Sequence, residues 1–261
     1  MKVLRSALYV LALPAVLFTT WWVFSAYSTN VYFPSLRRIL GVFPATWFEG
    51  GWNSRIVVDG FSSVWRLAVG FSLATLLALT LGTLIGLSSR ARAYCEPTLE
   101  LFRAIPAPVL VPVISLFAGI GDEMKIFVIM LGCLWPILLN TVEGVRAVDT
   151  VMIETAKSYH LKTLRRIQKL ILPAASPQII AGMRQGLSVG IILMVISEMF
   201  AATSGLGFTV VQFQRNFALP EMWTGIIVLG MLGLFASLLF QVFENRSLRW
   251  YNGMRQASRD S

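Results

Sequence analysis

With 261 residues, 56% of them hydrophobic and only 13% charged, this chain is too poor in charge to cover a water-facing surface. Its 22 basic and 13 acidic residues give a formal net charge of +9, but the basic residues stand in short blocks between apolar runs. That is the pattern of loops beside a membrane rather than of a nucleic-acid groove. One histidine and two distant cysteines, Cys95 and Cys133, give no basis for a disulfide, a metal site or a His-based triad.

A membrane-spanning helix needs about 20 mostly apolar residues, and six stretches meet that requirement. The first is expected over about 7–27, after Lys2 and Arg5. Ser25-Ala26-Tyr27 is faintly like a signal-peptide cleavage site, but the apolar run is longer than a usual signal core and further spans follow, so a retained span is expected. Residues 28–59 hold Pro34, Pro44, Gly50 and Gly51 and should break into short pieces. The second span is expected over about 61–87, followed by a loop SSRARAYCEP. The third, over about 98–118, is interrupted by Pro106, Pro108 and Pro112. The turn GIGDE leads into a fourth at about 124–142, and the polar stretch 143–173 into a fifth at about 179–202. The loop TSGLGFTVVQFQRNFALPE separates it from a sixth at about 222–242, which a basic tail follows.

The loops orient these spans. With the N-terminus inside, the inner segments carry Lys2, Arg5, Arg90, Arg92, Arg146, the basic residues of 157–169 and the tail arginines 246, 249, 255 and 259. The outer segments carry only Arg37, Arg38, Arg55, Lys125 and Arg215, which predicts an N-in, C-in arrangement with 143–173 in the cytoplasm. The aromatics Trp21, Trp22, Trp47, Trp52, Trp223, Trp250 and Tyr251 lie near span ends, as an interfacial belt does.

The cytoplasmic stretch VDTVMIETAKSYHLKTLRRIQKLILPAASP reads as two short helices joined at a corner. Thr150 is the expected N-cap of the first, with Met152, Ala156 and Tyr159 on one face. The second starts at Thr163, carries Leu164, Ile167 and Leu170 as an apolar stripe, and is expected to stop at Pro173. On physical grounds alone it is either an amphipathic segment lying on lipid headgroups or a contact for a partner.

This stretch resembles the EAA motif of ABC-importer permeases. Glu154, Thr155 and Ala156 stand at the Glu-Ala-Ala positions, and Ile171, Leu172 and Pro173 at the closing Leu-Pro. His160 stands where the family usually has glycine, and histidine is one of the residues enriched at positive φ. The segments FRAIPAPVLVPVISLFAGIGDEMKIFVIMLGCLWPILLNTVEGVRAVD and ISEMFAATSGLGF resemble the subfamily serving nitrate, sulfonate, taurine and bicarbonate uptake, and the similarity covers about 60–250. The resemblance implies an all-α, six-span type I importer permease fold in a single domain over 1–261, with a core at about 60–245. It implies inner-membrane localisation, a second permease copy, a cytoplasmic ATPase pair and an extracytoplasmic solute-binding protein. It also implies that Glu154, Thr155, Ala156, Tyr159, His160, Leu164, Leu172 and Pro173 form the coupling loop, and that the solute is a small anion of sulfonate or nitrate type. The chain has no G-x-x-x-x-G-K-[ST] phosphate loop, so ATP and Mg would bind to the partner ATPase, with no cofactor or catalytic residue here.

Several residues within the spans have two readings each. Glu198 is a pathway or gate residue, or a structural anchor near the SGLG loop of Ser204, Gly205 and Gly207. Arg184 is a pathway cation or a positive-inside anchor, and Arg66 and Arg103 read as such anchors. Gly182, Gly186 and Gly190, spaced by four, form a subunit interface or pack within one subunit; Gly82 and Gly86 suit packing within it. Pro106 and Pro108 mark a pathway kink or a packing bend. The rival function is a stand-alone secondary transporter or channel with Glu198 as a proton-coupling site, against which stand the EAA-like loop and the lack of an obvious inverted repeat. A membrane-embedded enzyme would need clustered polar catalytic residues that the spans lack.

Overall fold

The computed structural model describes residues 2–28, 30–200 and 202–257. Arg259 lies outside the described residues, as do the side chains of Lys2, Arg5 and Arg255. Among the described residues the fold is all-helical. The helices are α1 (Lys2–Ser25), α2 (Leu36–Phe48), α3 (Arg55–Leu87), α4 (Ser89–Arg103), α5 (Leu110–Ala118), α6 (Asp122–Arg146), α7 (Thr150–Ser158), α8 (Thr163–Arg166), α9 (Leu172–Phe200), α10 (Leu206–Arg215), α11 (Leu219–Ser247) and α12 (Arg249–Ala257).

Among the described residues, four helices are long and apolar enough to cross a membrane: α3, α6, the continuous 163–200 helix and α11. The pair α4–α5 makes a fifth crossing if its two arms, bent by 70° at a short break, are taken as one, and 12–25 of α1 is a shorter apolar helix.

The core is a three-helix stack with α6 in the middle. In α3 the residues Gly70, Ala74, Ala78, Gly82 and Gly86 recur every fourth position and are all buried. A Cβ on Gly82 would sit 2.7 Å from Cβ of Thr141, and one on Gly86 2.8 Å from Cβ of Val145. On the other side, a Cβ on Gly182 would lie 2.8 Å from the carbonyl of Pro136, and one on Gly186 2.9 Å from Ile137. Gly190 meets Cys133 and Leu67 in the same way. Lipid gives helices no hydrophobic reason to associate, so close packing over small residues has to hold them together. The glycine triplet of α9 therefore packs within one subunit, and the subunit-interface reading of Gly182, Gly186 and Gly190 is corrected.

Several expected boundaries also change. The supposed loop SSRARAYCEP is helical, because Ser88 caps α4 by accepting from the amide of Ala91 at 3.2 Å and helix-forming residues follow. The region 28–59 contains α2, capped by Ser35, which buries Leu36, Ile39 and Trp47. Trp47 is fully buried and donates to Thr224 Oγ1 at 2.8 Å, so it is a core residue and not part of a belt. The loop after the fifth span contains α10, whose Leu206, Thr209, Val210 and Phe213 are buried.

Pro173 does not end a helix. A π turn over Ile167–Ile171 joins α8 to α9, and Pro173 and Pro177 lie inside the continuous helix. Proline lacks the N–H that would bond four residues back, and the wide turn, in which the Leu172 amide reaches the carbonyl of Ile167, takes up the mismatch. At 38 residues this helix is about 57 Å long, well beyond a hydrocarbon layer about 30 Å thick. Its first turns, with Arg165, Arg166 and Lys169, therefore extend past the apolar layer.

Candidate functional site

Two sites stand at opposite ends of α9. At its start, α7 is a short helix on a corner. Asp149, not Thr150, is its N-cap: the carboxylate accepts from the amide of Val151 at 2.8 Å. An acid suits this place better than a hydroxyl because it also faces the positive end of the helix dipole. The C-terminus closes in a Schellman motif. The amide of Leu161 reaches the carbonyl of Ala156 at 3.1 Å and that of His160 reaches Lys157 at 2.8 Å. The motif requires a left-handed residue after the cap, and His160 is that residue, with φ +53°.

Two consequences follow for substitutions at the corner. His160→Gly is expected to stabilise this end of α7 by about 0.5–1 kcal/mol, since glycine adopts positive φ without strain. His160→Val is expected to destabilise it by about 1–2 kcal/mol. Hydrogen exchange of the amides from Ala156 to Leu161 should slow in the first variant and quicken in the second.

The faces of α7 differ from the expected ones. Ile153 and Ala156 turn inward, with Ile153 against Val145, Val148, Ile171, Ala175 and Ile179. Ala156 is 6% exposed, whereas Met152 and Tyr159 are 52% and 77% exposed, so the three do not share a docking face. Ala156 seats α7 on its own chain. What remains outward is Val151, Met152, Thr155 and Tyr159, with Leu164 beyond the corner. Glu154 is also exposed and pairs with Lys157 at 2.8 Å. Leu172 is half-buried and Pro173 exposed, both within the long helix.

At the other end of α9 lies a buried ionic knot. Asp59, Ser63 and Arg66 lie four and three residues apart on one face of α3. Arg66 is 2% exposed and donates to Glu198 Oε1 at 2.7 Å, to Asp122 Oδ1 through Nε at 2.9 Å, and to the carbonyl and hydroxyl of Ser204 at 2.9 and 2.7 Å. Lys125 of α6 stands 3.7 Å from the same carboxylate of Asp122. Glu198, 1% exposed, also accepts from Ser63 at 2.9 Å.

The knot holds the first turn of α10. The first amides of a helix have no partner within it, and here three consecutive ones are matched in order. Gly205 donates to Asp59 at 2.9 Å, Leu206 to Ser63 Oγ at 2.9 Å, and Gly207 to Glu198 Oε2 at 3.0 Å. Two carboxylates at a helix N-terminus also complement its dipole. Gly205 has φ +114° and any Cβ there would collide with the Glu198 carboxyl. Glycine is required at this position for both reasons.

Glu198, Ser204, Gly205 and Gly207 are thus brought together, as a structural anchor of the SGLG segment. Arg66, expected as a positive-inside anchor, is the centre of this cluster. The signal was available in the sequence as an arginine inside an apolar run, seven residues after an aspartate on the same helical face. Arg184, whose side chain is half-exposed, pairs with Glu244 of α11 at 2.5 Å, which ties two helices. Pro106 caps the 3₁₀ turn Ala107–Val109 at the α4–α5 bend, and Pro108 lies within that turn.

Comparison with known proteins bears on the family and the fold. The family model described as binding-protein-dependent transport system inner membrane component matches residues 74–249. The putative aliphatic sulfonates transport permease protein SsuC of Bacillus subtilis is 32% identical over 190 residues, 73% of this chain and 69% of that protein. The taurine transport system permease protein TauC of Escherichia coli is 28% identical over 240 residues, 91% of this chain and 87% of that one. Among solved structures, an inward-facing form of the MetNI methionine ABC transporter aligns with a TM-score of 0.60 at 18% identity, covering 72% of this chain and 94% of the matched chain.

Proposed function

The chain belongs to the family of binding-protein-dependent transport system inner membrane components and is a permease subunit of an ABC importer, and from that premise we propose that it crosses the membrane six times, both ends in the cytoplasm, and pairs with a second permease subunit. The crossings are α1, α3, the bent α4–α5, α6, the 163–200 helix and α11. A separate cytoplasmic ATPase, which binds ATP and Mg, supplies the work, and an extracytoplasmic binding protein delivers the solute. The aliphatic sulfonate and taurine permeases among the relatives favour a small organic anion of sulfonate type as the solute.

The observation that carries this reading is the unpartnered outward face of α7. A helix that keeps Val151, Met152 and Tyr159 exposed beside the basic start of the 163–200 helix has an apolar surface without an occupant among the described residues. A groove on an ATPase subunit would cover it, and the Schellman corner at His160 would hold the helix at a fixed angle to α9. Motion of the ATPase then reaches the spans through one rigid helix. Glu154 offers the partner a carboxylate at the edge of that face.

Glu154→Arg reverses the charge at an exposed position and leaves the inward face of α7 intact. In vesicles containing the variant, ATPase and binding protein, uptake of an alkanesulfonate is expected to fall about tenfold or more, while ATP hydrolysis by the ATPase subunit persists. A loss of about 1.4 kcal/mol in the docking interaction would produce that factor. Wild-type uptake would remove the coupling assignment and leave α7 as a headgroup-lying segment.

A further inference from the structure

A cleft of about 470 Å³ opens between the α4–α5 bend and the middle of α6 and α9. It is distinct from the ionic knot and from α7. We propose that this cleft is a transit site for the anionic head of the solute, with Arg103 and Gln185 as its principal donors. The proposal rests on the importer reading for its biological meaning, but the binding chemistry can be tested without transport.

The wall is rich in donors and free of carboxylates. Its polar members are Arg103, Trp135, Asn140 and Gln185, among Ile105, Pro106, Leu139 and Val189. A hydrogen-bonded ladder of amides orients two of them. Gln178 Nε2 donates to Asn140 Oδ1 at 3.1 Å, and Asn140 Nδ2 donates to the carbonyl of Pro136 at 2.8 Å and to Gln185 Oε1 at 3.2 Å. Both hydrogens of the Asn140 amide are thereby used. Gln185 is turned so that its acceptor is occupied, and its Nε2 has no bonding partner among the described residues.

Arg103 is similarly half-committed. Its Nη2 is held by Glu100 at 2.6 Å, which leaves Nε and Nη1 without an acceptor among the described residues. Trp135 is fixed by a parallel stack on Phe102, with centroids 5.7 Å apart and 5° between the planes. The carboxylates Glu96, Glu100 and Glu143 line an adjoining pocket of about 180 Å³ that shares Arg103 and Leu139 with the cleft. The guanidinium thus stands where an anion can approach it from the carboxylate-free side.

This chemistry selects its occupant. Two side chains with spare N–H groups and an aromatic wall suit a tetrahedral or planar oxyanion, and a guanidinium binds such a group with directed hydrogen bonds. Ile105, Pro106 and Val189 give a short alkyl tail an apolar surface. A site for transit must bind weakly enough to release, and few donors on a partly open wall meet that condition. A phospholipid phosphate carries the same oxyanion chemistry, so the test separates the two sources.

The probe is the sulfonatoethyl methanethiosulfonate reagent, itself an ethanesulfonate, compared with its trimethylammonioethyl counterpart. Val189→Cys places a thiol on the cleft wall, with the half-buried Cys95 changed to serine. The full chain is held with its ATPase in phosphatidylcholine vesicles. After correction for intrinsic reactivity, the anionic reagent is expected to modify position 189 about tenfold faster than the cationic one, as a single favourable charge at close range provides. Millimolar ethanesulfonate should slow it. Arg103→Gln and, independently, Gln185→Glu should each abolish the preference.

Equal rates for both reagents, or a preference that survives both substitutions, overturn the proposal. So does protection by added phosphatidylglycerol with none from ethanesulfonate, which would make the cleft a lipid site. If the importer reading were to fail, ATP-driven uptake would be absent while the thiol chemistry at position 189 kept its charge preference, so the two failures look different.

Discussion

Arg66→Ala is expected to destabilise the folded chain by about 3–5 kcal/mol, the usual cost of removing one partner from a buried ion pair. Arg66 and Glu198 are 2% and 1% exposed, so the pair is formed out of reach of solvent screening. Glu198 would keep its bonds to Ser63 and Gly207 but lose the guanidinium that pairs with it, while Asp122 would keep only the more distant Lys125, at 3.7 Å. Unfolding of the purified chain in mild detergent should move to a markedly lower denaturant concentration. The paired change Arg66→Met with Glu198→Met should recover part of the loss, because two apolar side chains leave no charge uncompensated. Unaltered unfolding of the alanine variant would mean that the knot does not hold the fold.

The same variant tests what the knot is for. The three amides at the start of α10 hang on Asp59, Ser63 and Glu198. Without Arg66 the SGLG segment loses both bonds from the guanidinium to Ser204. Limited proteolysis near residues 202–206 should therefore become easier even in the folded variant.

Gly186→Leu has the second largest expected effect. A Cβ at Gly186 already falls 2.9 Å from Ile137 and 3.2 Å from the carbonyl of Cys133, and the backbone side of that contact cannot give way. The carbonyl of Gly186 also accepts the Cys133 thiol at 3.2 Å. A leucine would push α6 and α9 apart along the central contact of the core. A loss of about 3 kcal/mol is expected, at the upper end for overpacking. Gly230→Leu on α11 is the control, since nothing lies within 4 Å of a Cβ there. The two variants should separate clearly by melting temperature in detergent. Equal melting would show that the glycine row does not set the α6–α9 distance.

Much of this protein is legible along the chain because lipid imposes simple rules. Long apolar runs must be helices, since no water is present to satisfy a broken backbone. This placed α3, α6, α9 and α11 to within a few residues at most ends. The corner at His160 was legible for a local reason: a motif that wants positive φ, occupied by a residue that accepts it. The break after Arg103 was legible from its prolines.

Other features depend on partners far apart in the chain. The helical character of Ser89–Arg103 and Leu206–Arg215 was hidden by polar residues: the first is capped by the local hydroxyl of Ser88, and the second is held at its start by α3 and buried against α2, α9 and α11. Trp47 read as an interfacial aromatic until Thr224, 177 positions away, gave its indole a partner.

By itself, then, the sequence determined the solvent, the helical class and the principal spans, because composition and period act within a window of about twenty residues. Only the tertiary structure decided which side of each span is buried. It turned Ala156 inward and left Met152 and Tyr159 outward, assigned the glycine rows of α3 and α9 to packing against α6, and joined Arg66 to Glu198 across 132 positions. Those outcomes depend on which helices meet, and in a membrane, where nearly every face is apolar, hydrophobicity does not mark the face that will be covered.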